Sequence, residues 1–484
     1  MGNQAGSGEL RRELGLWDVV GFNVAAILGL RWLSTAAASG PSSLTIWALA
    51  FLLFFIPQGL TVIELSTRYP VEGGVYRWTQ RAFGDFHGFV AGWCYWVSNL
   101  VYFPALLIFG AGSAAFAGGS STAWLGERAW FVGGFAFAGL WAALALNMIG
   151  MNVGKWVQNA GALGTWIPGI VLIALGGWVW SQSGMATPIA ASDLAPVFSY
   201  GTVAFWSTLC FAFAGLELAP LMAGEIRDPA RTLTRAIFIS GALITFIYAL
   251  GTVALLVALP PGKVNIISGA VQAIEAVSAQ AGLSAITGPM ALLVALSAIG
   301  GVGAWLAGAA RIPFVAGIDR FLPAAMGRVH PRWGTPHVSL LVQGVLASVF
   351  LAIGLGGVKM EEAYQTLNTM TLVVYYVPYL YLFAALPILR RREAEITPNR
   401  AAEGQAAALA AGSQTGATLI PGGMSVVWIV CGLGLATTLF SIIATLFPPD
   451  LVEKRALFLI KTVGGCTAFI GSGALLFLLR RPRG

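Results

Sequence analysis

Two ionisable side chains stand where an apolar chain should carry none. Arg31 interrupts Ile27-Leu28-Gly29-Leu30-Arg31-Trp32-Leu33, and Glu217 follows Phe213-Ala214-Gly215-Leu216. Each lies beside a glycine near the middle of a long hydrophobic run. A charge at the centre of an isolated transmembrane helix costs roughly 2.5 to 3.5 kcal/mol on insertion scales, so each must face the inside of a bundle or water. The neighbouring glycines point to helix breaks. Backbone groups freed by a break must find protein, water or ligand, because lipid offers no hydrogen bonds. Exposed N–H groups at the start of one half-helix favour a carboxylate, and free carbonyls at the end of the other favour an ammonium or a cation. An α-amino acid presents both charges within a few ångströms, so the paired breaks suit a zwitterion. Three roles are open to Arg31: a direct or water-bridged partner of Glu217, a planar fork for a solute carboxylate, or a fixed positive charge in place of a coupling cation.

The elements that must position these residues follow from composition. Of the 484 residues 57% are hydrophobic and only 10% charged, about half the charged fraction of an ordinary soluble domain. Apolar stretches longer than the roughly 18 residues needed to cross a bilayer recur along almost the whole chain. The fold class expected is an all-α polytopic membrane protein with twelve transmembrane helices. The spans are read at 17–39, 43–67, 87–117, 129–149, 156–181, 200–224, 232–259, 285–317, 336–356, 364–389, 424–446 and 456–479.

With the N-terminus inside, the inner segments hold twenty of the 27 Lys and Arg residues. The outer loops hold Arg128, Lys263, Lys359, Lys454 and Arg455. That bias predicts both termini in the cytoplasm and accounts for the net charge of +7 without any nucleic acid. Lys461 lies near the outer end of the last span and can snorkel; Arg31 cannot. The polar start before a long apolar segment argues against a signal peptide, and Gly6 stands where a myristoylation signal wants Ser or Thr. Cys94, Cys210, Cys431 and Cys466 fall inside apolar spans as small buried hydrophobes. His87, His330 and His337 lie at interfaces or in loops, and no metal role is assigned to them. Glu64, near the inner end of the second span, is expected to hold backbone or Arg68.

The interruptions at Arg31 and Glu217 are five spans apart, as corresponding helices of two inverted repeats would be. The expected organisation is a cytoplasmic tail at 1–13 and a ten-helix core at 14–392 with repeats at about 17–181 and 200–389. A flexible cytoplasmic linker at 393–423, rich in Ala, Gly, Gln, Ser and Thr, leads to helices 11 and 12 at 424–479 and a tail at 480–484. The segment Asn265 to Ala281 reads as a helix over an entrance or as an ordinary connecting helix.

Further stretches carry a family resemblance. After the second span comes Glu64-Leu65-Ser66-Thr67-Arg68-Tyr69-Pro70-Val71-Glu72-Gly73-Gly74-Val75-Tyr76, then AFGDFHGFVAGWCYW at Ala82 to Trp96. The sixth span continues as FAGLELAPLMAGEIRDPARTL from Phe213 to Leu233, and the eighth ends in ARIPFVAGIDRFLP before GRVHPRWGTP at Gly327 to Pro336. Together, over about residues 14 to 390, these resemble the amino acid, polyamine and organocation (APC) permease family. The resemblance implies a LeuT-type inverted-repeat fold with helices 1 and 6 broken, and alternating access to a central site.

It also implies a candidate substrate site. Ile27, Gly29, Leu30 and Arg31 match the unwound strip of the first span, where relatives usually carry a second glycine in place of arginine. Phe211 matches a gating aromatic, Ala212, Ala214 and Gly215 supply backbone in the second break, and Glu217 matches the family's glutamate. Asn99 matches a polar substrate contact, Trp305 an inward aromatic, and Thr371 and Tyr375 complete the set. Phe211 and Trp305 are alternatively core or lipid-facing aromatics, and Asn99 alternatively bonds a neighbouring helix. Some relatives use a lysine on the fifth span as a fixed charge, but Trp156 to Trp178 holds no Lys or Arg.

The expectation is a secondary active transporter of an amino acid or closely related amine-bearing solute, not an enzyme. No cofactor and no catalytic or metal-ligating set is expected, with coupling to a proton, sodium or an exchanged solute left open. The partners expected are a small-molecule substrate and the lipid bilayer, not nucleic acid. A polyamine carrier of the same fold is the near rival, and a non-transporting sensor or a channel the distant one.

Overall fold

The computed structural model describes residues 14–69, 73–196, 200–319, 321–355, 360–402, 420–447 and 455–480. The expected tail at 1–13, most of the expected linker (403–419), residues 481–484, the Pro70-Val71-Glu72 stretch, Arg320, Lys359 and Lys454 lie outside the described residues. Among the described residues the chain is helical, with one isolated parallel bridge between Leu14 and Ile226.

The first span is two half-helices, α1 (Leu16–Ile27) and α2 (Leu30–Ala38). Leu28 and Gly29 between them are extended, at ψ 105° and 114°. The start of α1 is fixed by the Asp18 carboxylate, which accepts the Gly15 N–H at 3.0 Å and so satisfies a donor that the helix leaves free. The second span runs through α3 (Ser43–Ala50), a π-turn at Phe51–Phe55 and α4 (Ile56–Arg68). A short helix α5 (Gly74–Phe83) leads into α6 (Asp85–Ala114), followed by α7 (Ala129–Ile149) and α8 (Met151–Ser183).

The second half opens with α9 (Tyr200–Ala212), which breaks at 213–218 and resumes as a 3-10 turn at Ala219–Glu225. Then come α10 (Pro229–Ala258), α11 (Gly269–Gln280), α12 (Thr287–Ala309), α13 (Arg311–Ile318), α14 (His337–Gly354) and α15 (Met360–Ala402). The final pair is α16 (Gly423–Ala444) and α17 (Arg455–Arg480). Among the described residues, eleven spans are long and apolar enough to cross a membrane. The remaining expected span, 200–224, falls short by length because its break splits it. Helix α15 continues past residue 392 to Ala402, so the expected linker begins as helix, with Glu393 held by Arg68 and Tyr69.

Burial separates core from rim. The apolar stretch of α6 is 94% buried, whereas that of α17 is 22% buried and leaves Leu475, Leu478 and Leu479 exposed. Such exposed apolar faces are what a bilayer solvates. Lipid supplies no hydrophobic drive for helices to associate, so close backbone approach through small residues matters more than in water. The contact of α8 with α12 has this character: a Cβ on Gly161 would stand 2.6 Å from the Gly300 Cα. Helix α11 packs on α2, α8, α10 and α12 with Val271, Ile274 and Val277 buried, as a connecting helix with Ile266 just before it lining a cavity.

One end of the bundle gathers the basic side chains and is closed by polar contacts. Arg311 meets Glu225, both nearly fully buried, and Arg77 pairs with Asp319 at 2.9 Å. Tyr76 also donates to Asp319 at 2.7 Å, and burial with that carboxylate pushes its phenol up, so it stays a donor. Glu64 takes Arg68 at 3.2 Å and the Ile420 N–H at 2.8 Å, the backbone and Arg68 roles expected of it.

Candidate functional site

The two breaks meet at one phenol. Tyr248, on α10, lies 2.8 Å from the Ile27 carbonyl and 2.9 Å from the Ala212 carbonyl, so its hydroxyl can donate to the end of either half-helix. The same oxygen accepts the Gly29 N–H at 3.3 Å. Trp305 on α12 donates its indole N–H to the Ala26 carbonyl at 2.8 Å. Protein side chains thus answer part of what lipid could not, the one Tyr248 proton serving one of the two carbonyls at a time. Gly215 sits in the second break at φ 125°, and a Cβ there would meet the Ile27 side chain at 2.9 Å and the Trp305 ring at 3.3 Å. Glycine is required at that position by backbone conformation and by space. In the same break the Ala214 N–H turns back to the Phe211 carbonyl at 2.9 Å.

Glu217 is fully buried and both its oxygens are occupied. Oε1 accepts from Tyr95 at 2.9 Å and from Tyr375; Oε2 accepts from Gln58 at 3.1 Å and from Tyr379. Tyr379 in turn accepts the second Gln58 amide hydrogen at 2.8 Å and the Gly215 N–H at 3.2 Å. Four neutral donors from α4, α6 and α15 therefore surround one carboxylate.

Arg31 does not join them. The direct Arg31–Glu217 pair is not formed, because uncharged donors fill the glutamate instead. The guanidinium is fully buried, and Nε, Nη1 and Nη2 meet no hydrogen-bond acceptor among the described residues. Its charge rests on aromatic faces, with Cζ 3.9 Å from the Trp32 ring centroid and 4.8 Å from that of Tyr102. A desolvated cation–π contact is worth about 2 kcal/mol, so two rings offset much of the cost of the charge while leaving its N–H donors unanswered.

Rings pack between the two charges. Phe211 packs edge-on against Trp32 at 5.8 Å, Tyr102 at 5.8 Å and Tyr375 at 5.1 Å, and Trp305 lies 5.3 Å from Tyr102. Phe211 and Trp305 are buried, which removes the lipid-facing alternative for both. On the far side of Trp32 a cavity of about 370 Å³ reaches the end of the bundle opposite the basic one. Its lining includes Thr35, Thr208, Tyr364, Gln365, Asn368 and Trp32.

Of the residues singled out by sequence, Ile27, Gly29, Phe211, Ala212, Ala214, Gly215, Glu217, Trp305 and Tyr375 come together around the breaks, and Leu30 and Arg31 begin α2. Thr371 bonds the Leu367 carbonyl of its own helix at 2.8 Å. Asn99 donates to the Tyr95 carbonyl on its own helix at 2.7 Å, not to a neighbouring helix, and its Oδ1 is unpartnered. Sequence reasoning missed Gln58, Tyr95, Tyr102, Tyr248, Tyr364 and Tyr379. For Tyr364 and Tyr379 the signal was present: Tyr364, Asn368, Thr371, Tyr375 and Tyr379 recur at four- and three-residue steps on α15, a polar stripe along one helix face.

Comparison with known proteins finds relatives over most of the chain. The amino acid permease family profile matches residues 14–465. An uncharacterised transporter of Legionella pneumophila is 29% identical over 464 residues, 95% of each chain. The serine/threonine exchanger SteT of Bacillus subtilis is 27% identical over 79% of this chain and 84% of its own length. A probable agmatine/putrescine antiporter, AguD of Lactococcus lactis, is 25% identical over 74% of this chain and 76% of its own. Among solved structures, MhsT in complex with L-phenylalanine superposes with a TM-score of 0.63 at 14% identity, covering 90% of this chain and 99% of that one.

Proposed function

The chain belongs to the amino acid permease family, and from that premise we propose that it carries an amino acid, or a closely related amine-bearing solute, across the membrane by alternating access. It is a multi-pass membrane transporter and not an enzyme. The observation that carries the substrate reading is the pairing of two helix breaks across Tyr248 beside the unpartnered cation of Arg31. Half-helix ends supply opposite partial charges, as a zwitterion requires.

The same-fold rival, an organocation carrier, has support in the agmatine/putrescine antiporter among the relatives. Two features weigh against it. Glu217, the group that would hold a cation, already accepts four hydrogen bonds, and Arg31 would repel one. The serine/threonine exchanger and the phenylalanine complex support the amino acid reading. The closed basic end and the cavity at the other suit a carrier with one side shut. In this reading the basic end is cytoplasmic, by the positive-inside rule, and no cofactor is needed beyond a coupling ion or exchanged solute.

The test is uptake of labelled amino acids and putrescine into proteoliposomes preloaded with mixed amino acids, under imposed proton or sodium gradients. Saturable counterflow of an amino acid is the expected result. Putrescine transport without amino acid transport would transfer the assignment to the rival. Conductance without exchange would indicate a channel, and binding without movement a sensor.

A further inference from the structure

Arg31 holds a buried positive charge that the described protein does not answer. Among the described residues no nitrogen of its guanidinium has a hydrogen-bond acceptor, and no carboxylate lies within ion-pair distance of it. Glu217 cannot supply the balance. Its oxygens are filled by Gln58, Tyr95, Tyr375 and Tyr379. Between the two lie the rings of Tyr102 and Phe211, with Arg31 over the first and Tyr375 against the second.

The cavity that Trp32 lines is polar but carries no charge of its own. Trp32, whose ring the guanidinium covers, lines the cavity, and its described lining contains no Asp, Glu, Lys or Arg. One further donor in that lining is buried and unpartnered: the Tyr364 hydroxyl, on a residue 1% exposed. Its hydrogen is one that a carboxylate can accept.

We infer that Arg31 selects for a solute with net negative charge, an acidic amino acid whose side-chain carboxylate lies in the guanidinium fork, aided by Tyr364. The inference rests on the amino acid carrier reading and narrows it. The α-carboxylate and α-ammonium cancel each other and are served by the half-helix ends. A neutral amino acid therefore adds no net charge and leaves the guanidinium uncompensated. An acidic one brings the missing negative charge, and the planar fork binds both oxygens of a carboxylate with charge-assisted hydrogen bonds.

The experiment uses full-length protein in proteoliposomes loaded with unlabelled mixed amino acids, with counterflow of labelled L-glutamate, L-aspartate, L-serine, L-leucine and L-lysine. The variants Arg31→Gln, Arg31→Met and Arg31→Lys are compared, and each is also melted without solute. Glutamate or aspartate should exceed the neutral solutes at least about tenfold. Arg31→Gln and Arg31→Met should weaken acidic uptake by at least about 30-fold, with Arg31→Lys between them and the parent. The solute-free melting temperature of Arg31→Met should hold or rise, since a buried unpaired charge is removed; a fall would mark a structural role and overturn the inference. Equal uptake of neutral and acidic solutes, or an unchanged glutamate KM in Arg31→Gln, would overturn it while leaving the carrier assignment intact. Failure of every amino acid class in the parent would remove the carrier assignment itself.

Discussion

At Tyr379 three partners converge on one phenolic oxygen: it donates to Glu217 and accepts from Gln58 at 2.8 Å and from the Gly215 N–H at 3.2 Å. Tyr375 gives Glu217 one bond and touches Tyr379 at 3.3 Å. Losing a hydroxyl strands whatever it served, at about 1–3 kcal/mol for each buried group left unsatisfied. Tyr379→Phe should therefore lower the melting temperature of the purified protein more than Tyr375→Phe; equal shifts would deny Tyr379 its linking role. Charge alone favours a pairing of Arg31 with Glu217, and the pair does not form because neutral donors can fill a carboxylate as well as a cation can. Those donors come from positions as distant as Gln58 and Tyr379. Nothing in the neighbourhood of Glu217 in sequence announces them, although the tyrosine stripe on α15 is readable from its spacing.

The helix breaks, by contrast, are legible in sequence, because a glycine beside a charge in mid-span neither strengthens a continuous helix nor tolerates lipid. Leu28–Gly29 and 213–218 are where the chain unwinds. Gly215→Ala should destabilise the protein by roughly 1–3 kcal/mol, since it forces a Cβ onto a strained left-handed backbone and into Ile27. Transport should fall with it, and a melt with an uptake assay reads both. Gly161→Val tests close packing away from the site, where the new side chain meets Gly300. It should cost about 1–3 kcal/mol by overpacking, whereas the same change at Gly177, with nothing within 4 Å, should cost far less. The end of α15 is less legible. Composition marks 393–423 as linker, yet the helix persists to Ala402, and Arg68 and Tyr69 hold its Glu393.

The bundle as a whole is shut at its basic end and hollow at the other. The Glu225–Arg311 contact closes it from deep inside: both side chains are 3% exposed. Breaking a buried pair by removing one partner typically costs about 3–5 kcal/mol, because the other charge is left uncompensated. Arg311→Met should then lower stability markedly, and adding Glu225→Gln should recover much of the loss; a double variant no better than the single would show the pair is not the cause. The long apolar spans and the basic bias are open to sequence reasoning because bilayer thickness and insertion rules act on local composition. Which end is closed is not, since it depends on side chains brought together by folding. Tyr248 has a consequence at this scale. Its hydroxyl carries a single proton and faces two carbonyls, Ile27 at the first break and Ala212 at the second. Only one can hold that proton at a time, so the two halves of the molecule share an indivisible object, and any rocking of one half-helix that captures it leaves the other to seek a new donor.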